Sequence, residues 1–321
     1  MSRKKAIIFG ISGQDGSYLA KSLLSKGVKV FGTSRDAEVQ EFSNLRKLGI
    51  KQQISFFSVA INDFGSVFQC IKKISPDVIY NLASQSSVAL SFSQPHETME
   101  SIELGTLNIL ESIRLYGKEI KFYNACSSEC FGDTGQEKAD EKTPFNPLSP
   151  YAVSKTAAYW MVKNYREAYD ISACSGILFN HESPLRQDRF VTKKIINAAV
   201  TISKGEQGTL HLGNIDIVRD WGWAPDYVEA MRLMMENKRS EDFVVATGVS
   251  QSLKDFLEIT FQYFNLNWED HVTIDKGLYR PTDITVNMGN PKKIKEKLGW
   301  KANFSLKETI NKIIEYVLKE K

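Results

Sequence analysis

Lys5-Ala6-Ile7-Ile8-Phe9-Gly10-Ile11-Ser12-Gly13-Gln14-Asp15-Gly16-Ser17-Tyr18 is the stretch that decides the fold. Its apolar start predicts a short buried strand, and the glycines at 10, 13 and 16 predict a tight turn. Leu19, Leu23 and Leu24 then fall on one face of a helix, with Lys21 and Lys26 on the solvent side and Gly27 closing it as a left-handed cap. Glycines between a strand and a helix let backbone N–H groups approach a pyrophosphate, which sits at the positive end of the helix. Gly10, Ser12, Gly13, Gln14, Asp15 and Gly16 are therefore expected to bind a dinucleotide.

Outward from this turn, apolar runs alternate with segments of helical period. Strands are expected near 5–10, 28–33, 53–57, 77–82 and 120–125, and helices near 16–26, 64–74, 98–116 and 152–169. That alternation predicts an α/β fold with a Rossmann-type, doubly wound parallel sheet. After about residue 180 the rhythm becomes irregular. Loops are expected around 180–190 and 205–226, and helices near 226–237, 252–264 and 305–319. A smaller C-terminal α/β substrate lobe should lie over the sheet. No low-complexity linker separates the two, so they should interweave, with 1–179 and a returning 213–249 forming the dinucleotide domain and 180–321 mainly the substrate lobe.

Composition narrows the function. The 321 residues carry 41 Lys+Arg against 38 Asp+Glu, a net charge of +3 that is too balanced for a nucleic-acid or membrane-surface binder. A hydrophobic share of 42% suits a packed globular protein, yet no run of eighteen apolar residues occurs. The charged start runs straight into the first strand without a signal-like core, so the protein is expected to be cytoplasmic. Cys70, Cys126, Cys130 and Cys174 form no C-x-x-C pair, and His96, His181, His211 and His271 are scattered. Reduced, mostly buried thiols and no structural metal are expected.

The end of the second strand selects the dinucleotide. An acid there would bond the ribose hydroxyls, whereas an arginine would pair with a 2′-phosphate. The residues are Ser34-Arg35-Asp36, which favour NADP through Arg35; NAD stays open, because Asp36 either turns inward or neutralises Arg35.

Tyr151-Ala152-Val153-Ser154-Lys155 places a phenol and an ammonium four residues apart on one helix face. A phenol titrating near ~10 is a poor base at neutral pH, and a neighbouring cation favours the phenolate. Ser127-Ser128-Glu129 precedes it at the carboxyl end of the fifth strand, where open α/β sheets bind ligands.

These residues make the sequence resemble the extended short-chain dehydrogenase/reductases of the epimerase/dehydratase group, and within them the GDP-mannose 4,6-dehydratases. The matching blocks are G-I-S-G-Q-D-G-S-Y from Gly10, N-L-A-S-Q-S from Asn81, S-S-E-C-F-G from Ser127, S-P-Y-A-V-S-K from Ser149, G-I-L-F-N-H-E-S-P from Gly176, R-D-W-G from Arg219, and Tyr279-Arg280-Pro281. The resemblance implies oxidation at C4 of GDP-mannose by Tyr151 with Lys155, proton removal from C5 by Glu129 as water leaves C6, and return of the stored hydride to C6. Ser127 and Ser128 would hold the C4 oxygen. It further implies cofactor contacts from Leu82 and Ala83, and GDP-sugar contacts from Ser86, Asn180, Lys194, Arg219 and Arg280. A GDP-manno-heptose dehydratase or a C4 oxidoreductase of the same family is the alternative. A homodimer through the helices near 98–116 and 152–169, or a homotetramer, is the implied assembly. His181 and Glu182 are read as groups that fix their loop. Three departures from the family pattern stand out: Ser127 replaces the usual threonine, Ser58-Val59-Ala60-Ile61 lacks the acid expected at the third strand and has Asp63 later, and Arg35 is not followed by a second arginine.

Overall fold

The structure is a computed structural model that describes residues 3–206 and 208–320. In chain order the first half runs β1 (Lys5–Phe9), α1 (Gln14–Ser25), β2 (Lys29–Ser34), α2 (Ser43–Lys47), β3 (Ser55–Ser58), α3 (Phe64–Ile74), β4 (Val78–Asn81), α4 (Val88–Ser93), α5 (Pro95–Met99), α6 (Gly105–Tyr116), β5 (Lys121–Ser127), α7 (Pro150–Tyr169) and β6 (Ala173–Leu178). The second half runs β7 (Asn180–Glu182), α8 (Val191–Ser203), β8 (Leu210–Leu212), β9 (Val218–Trp223), α9 (Ala224–Glu236), β10 (Phe243–Val245), β11 (Ser250–Ser252), α10 (Leu253–Gln262), β12 (Val272–Ile274), β13 (Val286–Asn287), α11 (Lys292–Leu298) and α12 (Leu306–Glu320).

The main sheet has seven strands in the order β10-β6-β5-β4-β1-β2-β3. Every neighbour pair is parallel, as the doubly wound reading expects. Residues on β1 alternate between its two faces. Ala6 and Ile8 pack with Leu19 and Leu23 of α1, whereas Ile7 and Phe9 pack with Val67 and Ile71 of α3 and Ile109 of α6. A strand buried on both sides needs a continuous apolar run, which is why the stretch from residue 6 to 9 has no polar break. The direction of winding reverses between β1 and β4, and that switch opens a crevice beyond their carboxyl ends.

The second layer is a small sheet, β11-β9-β13, with β7 also paired to β9. It is covered by α8, α10 and α12 through Ile195, Ile196, Phe256, Leu257, Ile310 and Ile314. Residues 213–249 serve both layers: β9 pairs in the small sheet, α9 packs on α1, and β10 completes the main sheet.

Several elements differ from the sequence reading. β9 and α8 occupy stretches where loops or nothing regular were expected, β6 and α11 had no expected counterpart, and the helix near 98–116 is interrupted by a π turn at Glu100–Leu104. β6 is Ala-Cys-Ser-Gly-Ile-Leu, whose small residues give no strand signature, and Gly176 is there because a Cβ would meet the Tyr123 ring. Asp63 caps α3 by accepting the Ser66 N–H at 2.6 Å, so its carboxylate serves the helix rather than replacing the missing third-strand acid.

Candidate active site

One cavity of about 620 Å³ lies over the switch point, between the main sheet and the second layer. Its floor begins at the first turn. Gly10 has φ +82°, and a Cβ on it would come within 2.7 Å of the backbone of Leu82 and Ala83; a Cβ on Gly16 would strike the Gly10 carbonyl. The turn is thus pressed against the end of β4, with Gly13 at the N-cap of α1 and Ser12, Gln14 and Asp15 on the cavity wall. This cradle, at the positive pole of a twelve-residue helix, fits the pyrophosphate of a dinucleotide.

The sequence reading missed a connection beneath that turn. Asp15 Oδ2 and His181 Nε2 are 2.8 Å apart, and His181 Nδ1 is 2.7 Å from the Phe179 carbonyl. Gln14 joins the same junction, donating to the His181 carbonyl at 3.1 Å and accepting from Ser183 Oγ at 2.7 Å. Burial works against the imidazolium, but the Asp15 carboxylate outweighs it and raises the His181 pKa. His181 also stacks on Tyr227 at 4.5 Å, and Gly222 makes room because a Cβ there would strike that ring. Glu182 accepts from Thr192 Oγ1 at 2.8 Å and faces Arg186 at 3.3 Å. Both groups therefore anchor β7 from within. Residues 167 positions apart carry no periodic signal, so only the fold could pair them.

The reactive end is built from β5 and α7. Ser149 accepts the Ala152 N–H at 3.1 Å and Pro150 occupies the first helical position, a start that sets the face carrying Tyr151 and Lys155. Lys155 Nζ donates to the Ala125 carbonyl at 2.8 Å and lies 5.8 Å from the centre of the Tyr151 ring. Both side chains are buried. Burial pushes the Tyr151 phenol well up, and the Ser127 hydroxyl opposes it by hydrogen-bonding the phenolate. Burial likewise lowers the Lys155 pKa, against the pull of Cys126, Cys130 and Asp15. Positive charge in the cavity would act against the burial that holds this phenol up.

Glu129 sits on the one-turn 3-10 helix Ser128–Phe131, which Ser127 caps by accepting the Glu129 N–H at 3.2 Å. Gly132 follows at φ +69°, where a Cβ would strike the Asn146 carbonyl. From the second layer, Asn287 donates to the Ser128 and Gly132 carbonyls at 3.1 and 3.0 Å and holds this turn in place. Asn287 was not singled out from the sequence, because its role depends on a contact across 155 positions.

The opposite wall is cationic. Arg219 is buried, with its guanidinium donating to the Ile284 carbonyl at 2.7 Å and the Val218 carbonyl at 2.9 Å. Asp283 lies between Arg219 and Arg280, at 3.6 and 3.7 Å. One carboxylate shared by two guanidiniums leaves net positive charge facing the cavity, which Lys194 reinforces. Ser86, Ser127, Ser128, Glu129, Asn180, Lys194, Arg219 and Arg280 all line the same space as the glycine turn. Arg35 stands apart: its side chain is 85% exposed at the end of β2, 3.8 Å from Glu97. Among the described residues, no cluster of three or more His, Cys, Asp or Glu is arranged to hold a metal, and no helix is long and apolar enough to cross a membrane.

Fold and site together define a protein of the nicotinamide-dependent epimerase/dehydratase class. The UDP-glucose 4-epimerase of Thermus thermophilus, solved in complex with NAD, superposes with a TM-score of 0.86 at 25% identity, covering 97% of this chain and 98% of that one. The family is narrower. A family model described as GDP-mannose 4,6 dehydratase matches residues 7–313. The Arabidopsis thaliana GDP-mannose 4,6 dehydratase 1 is 45% identical, over 98% of this chain and 89% of its own length. The Dictyostelium discoideum GDP-mannose 4,6 dehydratase is 41% identical, over 98% and 97%. The chain belongs to the GDP-mannose 4,6-dehydratase family.

Proposed function

We propose that this enzyme, a lyase, converts GDP-mannose to GDP-4-keto-6-deoxymannose. The observation that carries the reading is the convergence of Tyr151, Lys155, Ser127 and Glu129 at one end of a cavity whose other walls hold a phosphate turn and paired arginines. A nicotinamide dinucleotide, when bound, supplies reversible hydride storage between C4 and C6. Tyr151 takes the C4 hydroxyl proton, with Ser127 supporting the phenolate. A C4 ketone makes the C5 proton acidic, and Glu129 removes it as the C6 hydroxyl departs as water. Asn180, Lys194, Arg219 and Arg280 surround the diphosphate and guanine, the cations by charge-assisted hydrogen bonds, and Ser86 faces the sugar. In this reading 1–179, with 213–249, binds the dinucleotide and 180–321 mainly the GDP-sugar. Mass spectrometry of GDP-mannose incubated with the enzyme tests it: the product is lighter by one water, with no external dinucleotide consumed. A product reduced or epimerised at C4 without loss of water would replace it.

Ser127 gives the reading a pH signature. Its hydroxyl lowers the phenol pKa. In Ser127→Ala that support is lost, the pKa rises, and the acid limb of the pH–rate profile moves to higher pH by about one unit. An unmoved limb would remove Ser127 from the activation of Tyr151.

For the cofactor, NADP is the form that Ser34 and Arg35 favour, because a serine stands where a ribose-binding acid would and the next residue is a cation of the kind that pairs with a 2′-phosphate. Arg35→Ala should weaken NADP⁺ binding about 10- to 100-fold in titration calorimetry and leave NAD⁺ within about threefold. Equal loss for both would remove the basis for preferring NADP. The assembly proposed is a homodimer, or a pair of dimers, in the cytoplasm. Met99, Leu104, Leu115, Val153, Trp160 and Tyr169 leave apolar surface exposed along α5 to α7, which a second copy would cover.

A further inference from the structure

Two of the four thiols stand on either side of the catalytic turn. Cys126 and Cys130 have their sulfurs 3.6 Å apart, and the three residues between them are Ser127, Ser128 and Glu129. Each thiol also leans on the helix that carries the other catalytic pair: Cys126 Sγ lies 3.9 Å from the Lys155 carbonyl, and Cys130 Sγ lies 3.8 Å from the Ala152 carbonyl. Cys126 reaches the cavity wall, whereas Cys130 is sealed behind it. Cys70 and Cys174 are buried elsewhere, and burial holds their thiols well above the usual range.

We propose that Cys126 and Cys130 form an oxidative modification site, closing as a disulfide under peroxide and switching off the turn they enclose. A disulfide bond is about 2.05 Å long, so the sulfurs must approach by about 1.5 Å. That displacement falls on a five-residue ring holding the C5 base and the Ser127 support of Tyr151. The distance is short enough for closure, and the ring is too small for the catalytic turn to ignore it.

The chemistry balances with a peroxide as oxidant. One thiolate attacks an oxygen of hydrogen peroxide: an S–O bond forms, the O–O bond breaks, and the departing hydroxide takes a proton to become water. The second sulfur then attacks the sulfenic sulfur, so the S–S bond forms and the S–O bond breaks, releasing a second water. Two thiols lose two electrons in total and the peroxide gains them. Peroxide is close to water in size and reaches Cys126 through the cavity. Burial raises the Cys126 thiol well above its ordinary range and the Lys155 ammonium only opposes this, whereas Cys130 is lowered against burial by its hydrogen bond with Cys126, so Cys130 is the sulfur more readily present as thiolate.

The activity readout rests on the dehydratase reading, but the mapping of the disulfide does not, so failure of one is distinguishable from failure of the other. The holoenzyme is treated with hydrogen peroxide, quenched, and analysed by non-reducing peptide mapping and by GDP-mannose dehydration. The expected result is a loss of about 2 Da in the peptide joining Cys126 to Cys130. Turnover should fall at least tenfold in parallel and recover with dithiothreitol. Cys130→Ala, whatever its basal turnover, should lose the dithiothreitol-reversible inhibition, and Cys126→Ser serves where that variant fails to fold. A double Cys70→Ala/Cys174→Ala variant should respond like the parent. The proposal is overturned by absence of the 126–130 crosslink, by a crosslink that leaves turnover intact, or by reversible inhibition that persists in Cys130→Ala.

Discussion

Glu129→Gln is expected to abolish dehydration while sparing the first oxidation. Glutamine keeps the length of the side chain, and the Glu129 backbone N–H still bonds Ser127 Oγ, so the turn stays as it is. What disappears, on the proposed mechanism, is the acceptor for the C5 proton. Loss of a positioned general base costs about 10²- to 10⁴-fold, equivalent to about 3–5 kcal/mol of transition-state stabilisation. GDP-mannose should bind with near-parental affinity in calorimetry, and stopped-flow absorbance in the near ultraviolet should report C4 oxidation in a single turnover with no second phase. The loss of one water should vanish from the mass spectrum. Dehydration at the parental rate would mean that another group removes the C5 proton. Arg219 supplies an internal check, since the Glu129 charge opposes the effect of burial on its guanidinium. A variant that bound GDP-mannose much more weakly would point to damage on that wall instead.

The Tyr151→Phe variant should fail one step earlier. The ring still fills its place beside Ile102 and Ala158, so the fold and the start of α7 survive. The oxygen proposed to take the C4 proton is gone, and the single-turnover absorbance change should fall by about 10³-fold or more. The contrast between the two variants is the sharper test. Glu129→Gln should give the oxidation signal without loss of water, and Tyr151→Phe should give neither. If Tyr151→Phe oxidised GDP-mannose at the rate of Glu129→Gln, the phenol would not be the base at C4.

Much of this site was legible in one dimension because its chemistry is local. The turn from Gly10 to Gly16 needs glycine where a Cβ would strike neighbouring backbone, and that demand is written directly in the residues. Tyr151 and Lys155 share a helix face because four residues make about one turn. Ser149 and Pro150 announce where that helix begins. The alternation of strands and helices to residue 169 follows from apolar runs buried on both sides, and this carried the class of fold and, with the F-N-H-E-S-P and R-D-W-G blocks, the family.

Other features exist only because distant segments meet. β9 reads as loop because Arg219, Asp220 and Gly222 interrupt any apolar alternation, yet it becomes a strand through pairing with β7, β11 and β13. Arg219 is buried there because the backbone carbonyls of Val218 and Ile284 satisfy its guanidinium, a compensation that composition cannot show. The Asp15–His181 pair, the grip of Asn287 on the catalytic turn and the placing of Asp283 between two arginines are of the same kind. Thus the chain's own order of residues determined the sheet, the phosphate turn and the reactive pair, each set by steric and periodic rules acting over a few positions. Tertiary structure alone decided which charges are neutralised, which thiols touch and how the catalytic turn is held, since burial and electrostatic compensation depend on neighbours brought together from across the sequence.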